Sequence, residues 1–165
     1  MKIADGESKA TFKLPFLNDG SLMGMNFPDT TIIGEGVLHE ASRLLIAGDT
    51  KLGKSILVTQ LAFALATGRP WLIFPVPKPV RVMIIQFEVA LPIFQKRYKK
   101  IRAYYGPPEN LVTLTTRKFR LTDEAVYEHL KHDIKEWKAK VLVLDPWYFL
   151  QEGSENETEQ VMVIV

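Results

Sequence analysis

Cysteine is absent from the 165 residues, which excludes a disulfide framework and any thiolate metal site. A dominant charge is absent too. The 21 Lys and Arg stand against 19 Asp and Glu, a formal net charge of +2, too small to argue for nucleic acid by itself. No apolar run approaches the ~20 residues that span a bilayer, and the opening MKIADGESKATFKLP lacks the apolar core of a secretory signal. Internal repeats and low-complexity tracts are also missing. These absences suit a cytoplasmic chain with no membrane partner. The residues present, 47% hydrophobic and 24% charged, have the composition of a globular domain long enough to bury a core.

Along the chain, residues 1–30 are weakly periodic and hold Gly6, Gly20, Gly24 and Pro28; they read as a leader or linker ahead of a domain spanning 31–165. Thr31–Ile33 is a short strand candidate, and Arg43–Ala47 is a better one, apolar and bounded by a glycine turn. Leu57, Leu61, Ala64 and Leu65 then form a helical stripe, stopped by Gly68 and Pro70. The proline-rich PWLIFPVPKP predicts an extended connection. A buried strand follows over Val82–Phe87, then a helix with the stripe Leu91, Phe94, Tyr98 and Ile101, ended by Gly106-Pro107-Pro108. Leu111–Thr115 predicts a third strand, and Thr122 a cap for a helix with the stripe Val126, Leu130, Ile134 and Trp137. The continuous apolar run Val141–Leu144, closed by Asp145, has the character of a strand covered on both faces. An acidic stretch from Gln151 to Gln160 leads to Val161-Met162-Val163-Ile164-Val165. Strands alternating with helices predict an α/β fold with a parallel sheet and right-handed crossovers.

Gly48-Asp49-Thr50-Lys51-Leu52-Gly53-Lys54-Ser55 matches the phosphate-binding loop pattern G-x-x-x-x-G-K-[ST] between a predicted strand and a predicted helix. The glycines let backbone N–H groups turn inward on phosphate oxygens. Lys54 supplies positive charge to the β and γ phosphates, and Ser55 a hydroxyl for Mg²⁺, which prefers oxygen ligands. The helix that starts there adds its positive dipole end. With Gly at about 7% of residues, a chance match in a chain of this length has a probability of roughly 1% or less. The guanine-reading sequence N-K-x-D is absent, so ATP is the expected nucleotide.

Asp145 ends a predicted buried strand, where a carboxylate faces the ligand crevice; it is the expected Mg²⁺-side acid opposite Ser55. Many ATPases of this type place a glutamate directly after that aspartate to polarise water, but here the position is Pro146. Glu88, at the end of another buried strand, is the candidate base. The dense cationic run Lys96-Arg97-Tyr98-Lys99-Lys100-Ile101-Arg102 reads as a solvated helix face, because Tyr98 and Ile101 take the apolar stripe. Lys51 is either an extra charge near the γ-phosphate or a solvent-facing loop residue. Trp147, Tyr148 and Phe149 could stack on a base or pack beneath the loop, and His39, His129 and His132 show no metal-ligand spacing.

With these residues in hand, a resemblance stands out. Ala47 to Ser55 followed by ILVTQLAFALATGRPWL resembles the RecA-like AAA ATPases related to the hexameric plasmid replicative helicases. So do Pro75-Val76-Pro77-Lys78-Pro79 leading into Arg81–Ile85, Glu88 at the catalytic-glutamate position, and Val143-Leu144-Asp145-Pro146 followed by Glu155-Asn156-Glu157. The resemblance covers about Ile32 to the C-terminus. It implies a RecA-like α/β sandwich, ATP hydrolysis with Lys54 and Glu88 as catalytic residues, a ring of identical subunits, and work on DNA as a helicase or replication ATPase. Such domains continue into further strands, a sensor residue and an arginine finger, so the chain reads as the N-terminal part of one. A small-molecule P-loop kinase and a nucleotide-binding regulator without turnover are the alternatives.

Overall fold

The computed structural model describes residues 15–34, 36–116, 123–146 and 160–164. Its elements are α1 (Asp19–Met23), β1 (Thr31–Ile33), β2 (Leu38–His39), β3 (Arg43–Ala47), α2 (Lys54–Thr67), β4 (Val82–Gln86), α3 (Leu91–Tyr105), β5 (Leu111–Thr115), α4 (Glu124–Trp137), β6 (Val141–Asp145) and β7 (Gln160–Ile164). Trp147, Tyr148, Phe149 and the Glu155-Asn156-Glu157 segment lie outside the described residues.

The main sheet has the order β3-β7-β6-β4-β5. Within it β4 pairs in parallel with both β5 and β6, and the strands are linked by helices, as the alternation predicts. Side chains alternate across each strand. Val82 and Ile84 of β4, with Val141 and Val143 of β6, enter one core with α2 and α3. Met83, Ile85 and Leu144 enter the other core, against Leu130, Ile134 and Trp137 of α4. The sheet is therefore flanked by helices on both faces, and both central strands need the unbroken apolar runs they carry.

The parallel sheet that the alternation predicts is present as β5-β4-β6, and β7 adds an antiparallel strand to it. This strand lies between β3 and β6 and runs antiparallel to both. Because β7 is reversed against each, β3 and β6 still point the same way, so the loop after β3 and Asp145 at the end of β6 meet at one sheet edge. Arg43–Ala47 forms one edge strand, with Leu45 48% exposed. The short Thr31–Ile33 strand pairs with β2 in a separate two-stranded sheet.

Three local expectations also change. The predicted stripe on α2 understates its burial: Val58, Leu61, Ala62, Phe63, Ala64, Leu65 and Ala66 are all buried, because α2 is wedged between sheet, α3 and the proline-rich connection. A helix that is apolar around its circumference is expected at such a central place. On α3, Phe94, Ile101 and Tyr105 are buried while Leu91 is 62% exposed, since it opens the helix beyond the sheet edge. The cap of α4 is Asp123, whose carboxylate accepts from the N–H groups of Ala125 and Val126, in place of Thr122.

Gly68 closes α2 in the left-handed region with φ +68. A Cβ there would stand 2.9 Å from Pro79 Cδ, so both the turn and the close passage of the connection require glycine. Residues 15–29 are exposed and α1 buries none of its side chains. No helix among the described residues is long and apolar enough to cross a membrane.

Candidate functional site

The loop from Gly48 to Ser55 joins the end of β3 to the start of α2. Gly53 is the residue before the helix, with φ +85, a conformation open to glycine at little cost. Lys51 also takes a positive φ, +64, and is exposed on the rim of the cleft beside the loop. With Gly53 turned in this way, the first turn of α2 presents its N-terminal end to the cleft, where the helix dipole favours an anion.

Lys54 is 9% exposed. Its Nζ donates to the carbonyls of Gly48 at 2.8 Å and Asp49 at 2.7 Å. The ammonium is thus folded back along the inside of the loop, where carbonyl dipoles hold its charge. Next to it, Ser55 Oγ donates to Asp145 Oδ1 at 3.1 Å. Asp145 is 4% exposed, so a carboxylate is held in the interior of the sheet edge against the loop hydroxyl, from 90 residues away in sequence. Thr59 Oγ1 donates to the Ser55 carbonyl at 2.7 Å, fixing the turn that carries Ser55.

Glu88 stands on the turn after β4. In the sheet register Gln86 is beside Asp145, so that turn lies next to the aspartate. The turn is shaped from inside by the Gln86 amide, which is 2% exposed. Its surroundings orient it with the nitrogen donating to the Val89 carbonyl at 2.8 Å and the oxygen accepting from the N–H groups of Glu88 at 3.0 Å and of Val89. Phe87 N–H donates to the Asp145 carbonyl at 2.9 Å, locking the two strand ends together.

A cleft of about 500 Å³ opens between loop and turn. Thr50, Lys51, Gly53, Lys54, Ser55, Glu88 and Arg97 are among its lining residues. The structure therefore brings the loop, Ser55 and Asp145 together and sets Glu88 across the same cleft. Arg97 changes the reading of α3: the cationic run is not wholly a solvated face, because Arg97 is half-buried and turned toward the loop. The signal was available, since Arg97 is three residues after the buried Phe94 and four before the buried Ile101 and shares their side of the helix. Gln86 left no such signal; a glutamine ending an apolar strand does not announce a buried amide.

A smaller cavity of about 280 Å³ lies between α2 and α3, lined in part by Ile56, Gln60, Arg97, Lys100 and Tyr104. On α3, burial raises the hydroxyl pKa of Tyr98 and of Tyr105 above the usual range.

The residues fit a magnesium ion by donor chemistry. A serine hydroxyl and a buried carboxylate are hard oxygen donors within hydrogen-bond distance of one another, and Mg²⁺ takes few protein ligands when phosphates and water supply the rest. No group of three or more His, Asp or Glu able to hold a metal occurs among the described residues.

No curated protein and no solved structure matches the chain. A family model does: that of the AAA domain, over residues 8–165. The α/β fold, the phosphate loop at its sheet edge and this match agree, and the chain belongs to the AAA domain family of RecA-like P-loop NTPases.

Proposed function

We propose that the chain binds Mg-ATP in the cleft beside residues 48–55, hydrolyses it, and couples hydrolysis to work on DNA as part of a ring of identical subunits. The observation that carries the nucleotide reading is the Ser55–Asp145 hydrogen bond of 3.1 Å, which joins a phosphate-loop hydroxyl on the cleft wall to a buried strand-end carboxylate behind it. The coupling to DNA rests on the resemblance to replicative helicases, supported by the exposed cations Lys96, Lys99, Lys100 and Arg102 on α3.

In this reading the loop N–H groups and the α2 terminus receive the phosphates. Lys54 exchanges its carbonyl partners for β and γ phosphate oxygens, which are stronger acceptors for an ammonium. Ser55 and Asp145 hold magnesium, which when bound neutralises charge on the phosphate oxygens. Glu88 takes the proton of the attacking water as its oxygen bonds to the γ-phosphorus. The bond to the bridging oxygen breaks, leaving ADP and inorganic phosphate. Pro146, the residue after Asp145, has no group for that proton transfer, and Glu88 is the carboxylate on the cleft wall opposite Lys54.

Two measurements test these steps. Titration of ATP with and without a chelator should show magnesium-dependent affinity in the wild type and a weaker dependence in Asp145→Asn; an unchanged magnesium response in the variant would remove Asp145 from the site. Phosphate release should rise when single-stranded DNA is added. Turnover indifferent to DNA would separate the ATPase from the motor, and phosphate transfer to a small acceptor would point to a kinase instead.

A further inference from the structure

Strand β4 is apolar from Val82 to Ile85 and ends in a glutamine, Gln86. Alternation puts Val82, Ile84 and Gln86 on one face of the sheet, the face whose core includes α2 and α3. Val141, Val143 and Asp145 of β6 share that face, and the register sets Gln86 beside Asp145. An apolar side chain at position 86 would prolong the series of Val82 and Ile84. A carboxamide buried to 2% exposure costs stability there unless its atoms are bonded. Its bonds go to the turn that carries Glu88.

The Gln86 amide oxygen accepts from the N–H groups of Glu88 at 3.0 Å and of Val89, and its nitrogen donates to the Val89 carbonyl at 2.8 Å. Those three groups belong to three consecutive peptides, the two that flank Glu88 and the one after Val89. Each peptide is planar, so a residue between two fixed peptides has no soft dihedral left. The direction in which the Glu88 side chain leaves the backbone is thereby set. Glu88 is exposed, so burial does not set it. The clamp also has a firm base. Phe87 N–H donates to the Asp145 carbonyl at 2.9 Å, and Thr116 N–H donates to the Gln86 carbonyl at 3.0 Å, tying the end of β4 to the strand on either side.

We propose that Gln86 is a positioning residue for ATP hydrolysis, clamping the backbone on both sides of Glu88 so that its carboxylate stays aimed into the cleft; this rests on the reading of Glu88 as the base. Buried behind the cleft wall, Gln86 acts through Glu88 and not on the nucleotide. The clamp needs an amide, which carries an acceptor and a donor side by side. A carboxylate would accept from both N–H groups but set an oxygen against the Val89 carbonyl. A thioether or aliphatic side chain would make none of the three bonds.

Steady-state phosphate release and ATP binding on the full chain test this in the wild type, Gln86→Met, Glu88→Gln and the double variant. Methionine keeps the length of glutamine without its hydrogen bonds. Gln86→Met should lower kcat by about 10²-fold, the scale of a small misplacement of a reacting group, with KM and ATP affinity within about threefold of the wild type. Because Gln86 acts through Glu88, adding Gln86→Met to Glu88→Gln should cost less than about threefold more. A second full loss in the double variant overturns the proposal, since Gln86 would then act independently of Glu88. Lost ATP affinity in Gln86→Met overturns it too, by assigning the amide to the phosphate and magnesium side. Wild-type kcat in Gln86→Met beside an impaired Glu88→Gln overturns the clamp alone, whereas wild-type kcat in Glu88→Gln overturns the base reading beneath it. Hydrogen exchange on the wild type is independent of how the variants fold: the N–H groups of Glu88 and Val89 should exchange at least about tenfold more slowly than unprotected amides, and unprotected rates at both would overturn the clamp.

Discussion

Replacing Glu88 with glutamine is expected to lower phosphate release by about 10²-fold or more, the scale of general-base removal, while ATP binds as it does to the wild type. Glutamine keeps the shape and much of the hydrogen bonding of glutamate but cannot accept a proton from water. Glu88 is exposed, so its replacement removes no core packing and the fold should be retained. Position explains why this glutamate is singled out. The Gln86 amide shapes the turn from within, and the turn sets Glu88 across the cleft from Lys54 and Ser55. Phosphate release under saturating ATP, alongside a binding titration, checks the expectation. Undiminished hydrolysis in Glu88→Gln would exclude Glu88 as the base, and lost ATP binding would give it a structural part instead.

How much of this was legible beforehand depended on how local each signal is. The bounds of Arg43–Ala47, Leu111–Thr115 and Val141–Asp145 in the structure coincide with those of the sequence reading, because each is a short β-prone run. The loop pattern at 48–55 was equally plain, since each fixed position answers a backbone or phosphate requirement. The direction of β7 could not be read. A run such as Val161-Met162-Val163-Ile164 suits a strand covered on both faces whichever way it points, and direction is set by the connection and by the gap left between β3 and β6. Arg97 was misjudged because one helix side was assigned by its apolar members alone. Tyr98 took the stripe, and the neighbouring cation, on the same packed side, was left to solvent. The groove between α2 and α3 needs two helices placed side by side, which no single helix pattern contains.

Lys54→Ala carries the largest expected effect on binding. Lys54 is buried, yet its amine is directed at the carbonyls of its own loop, 2.8 Å from Gly48 O and 2.7 Å from Asp49 O, and not at the apolar core. Removing it deletes the ammonium that the proposed reading sets against the β and γ phosphates. Charge-assisted hydrogen bonds to phosphate are roughly twice as strong as neutral ones, and loss of such contacts in a partly buried cleft should bring ATP affinity down by at least about 10²-fold. Gly53 keeps its left-handed turn without the lysine, and α2 remains packed through Val58, Leu61 and Leu65. The variant should therefore fold and fail only at the ligand.

Whether residues 48–55 hold the phosphates of a nucleoside triphosphate is decided by titrating magnesium and ATP into the wild type and Lys54→Ala side by side in a calorimeter, with a circular dichroism spectrum of each. Saturable one-site binding to the wild type, no measurable binding to the variant and matching spectra are expected. Equal ATP affinity in the two proteins would contradict a phosphate site there.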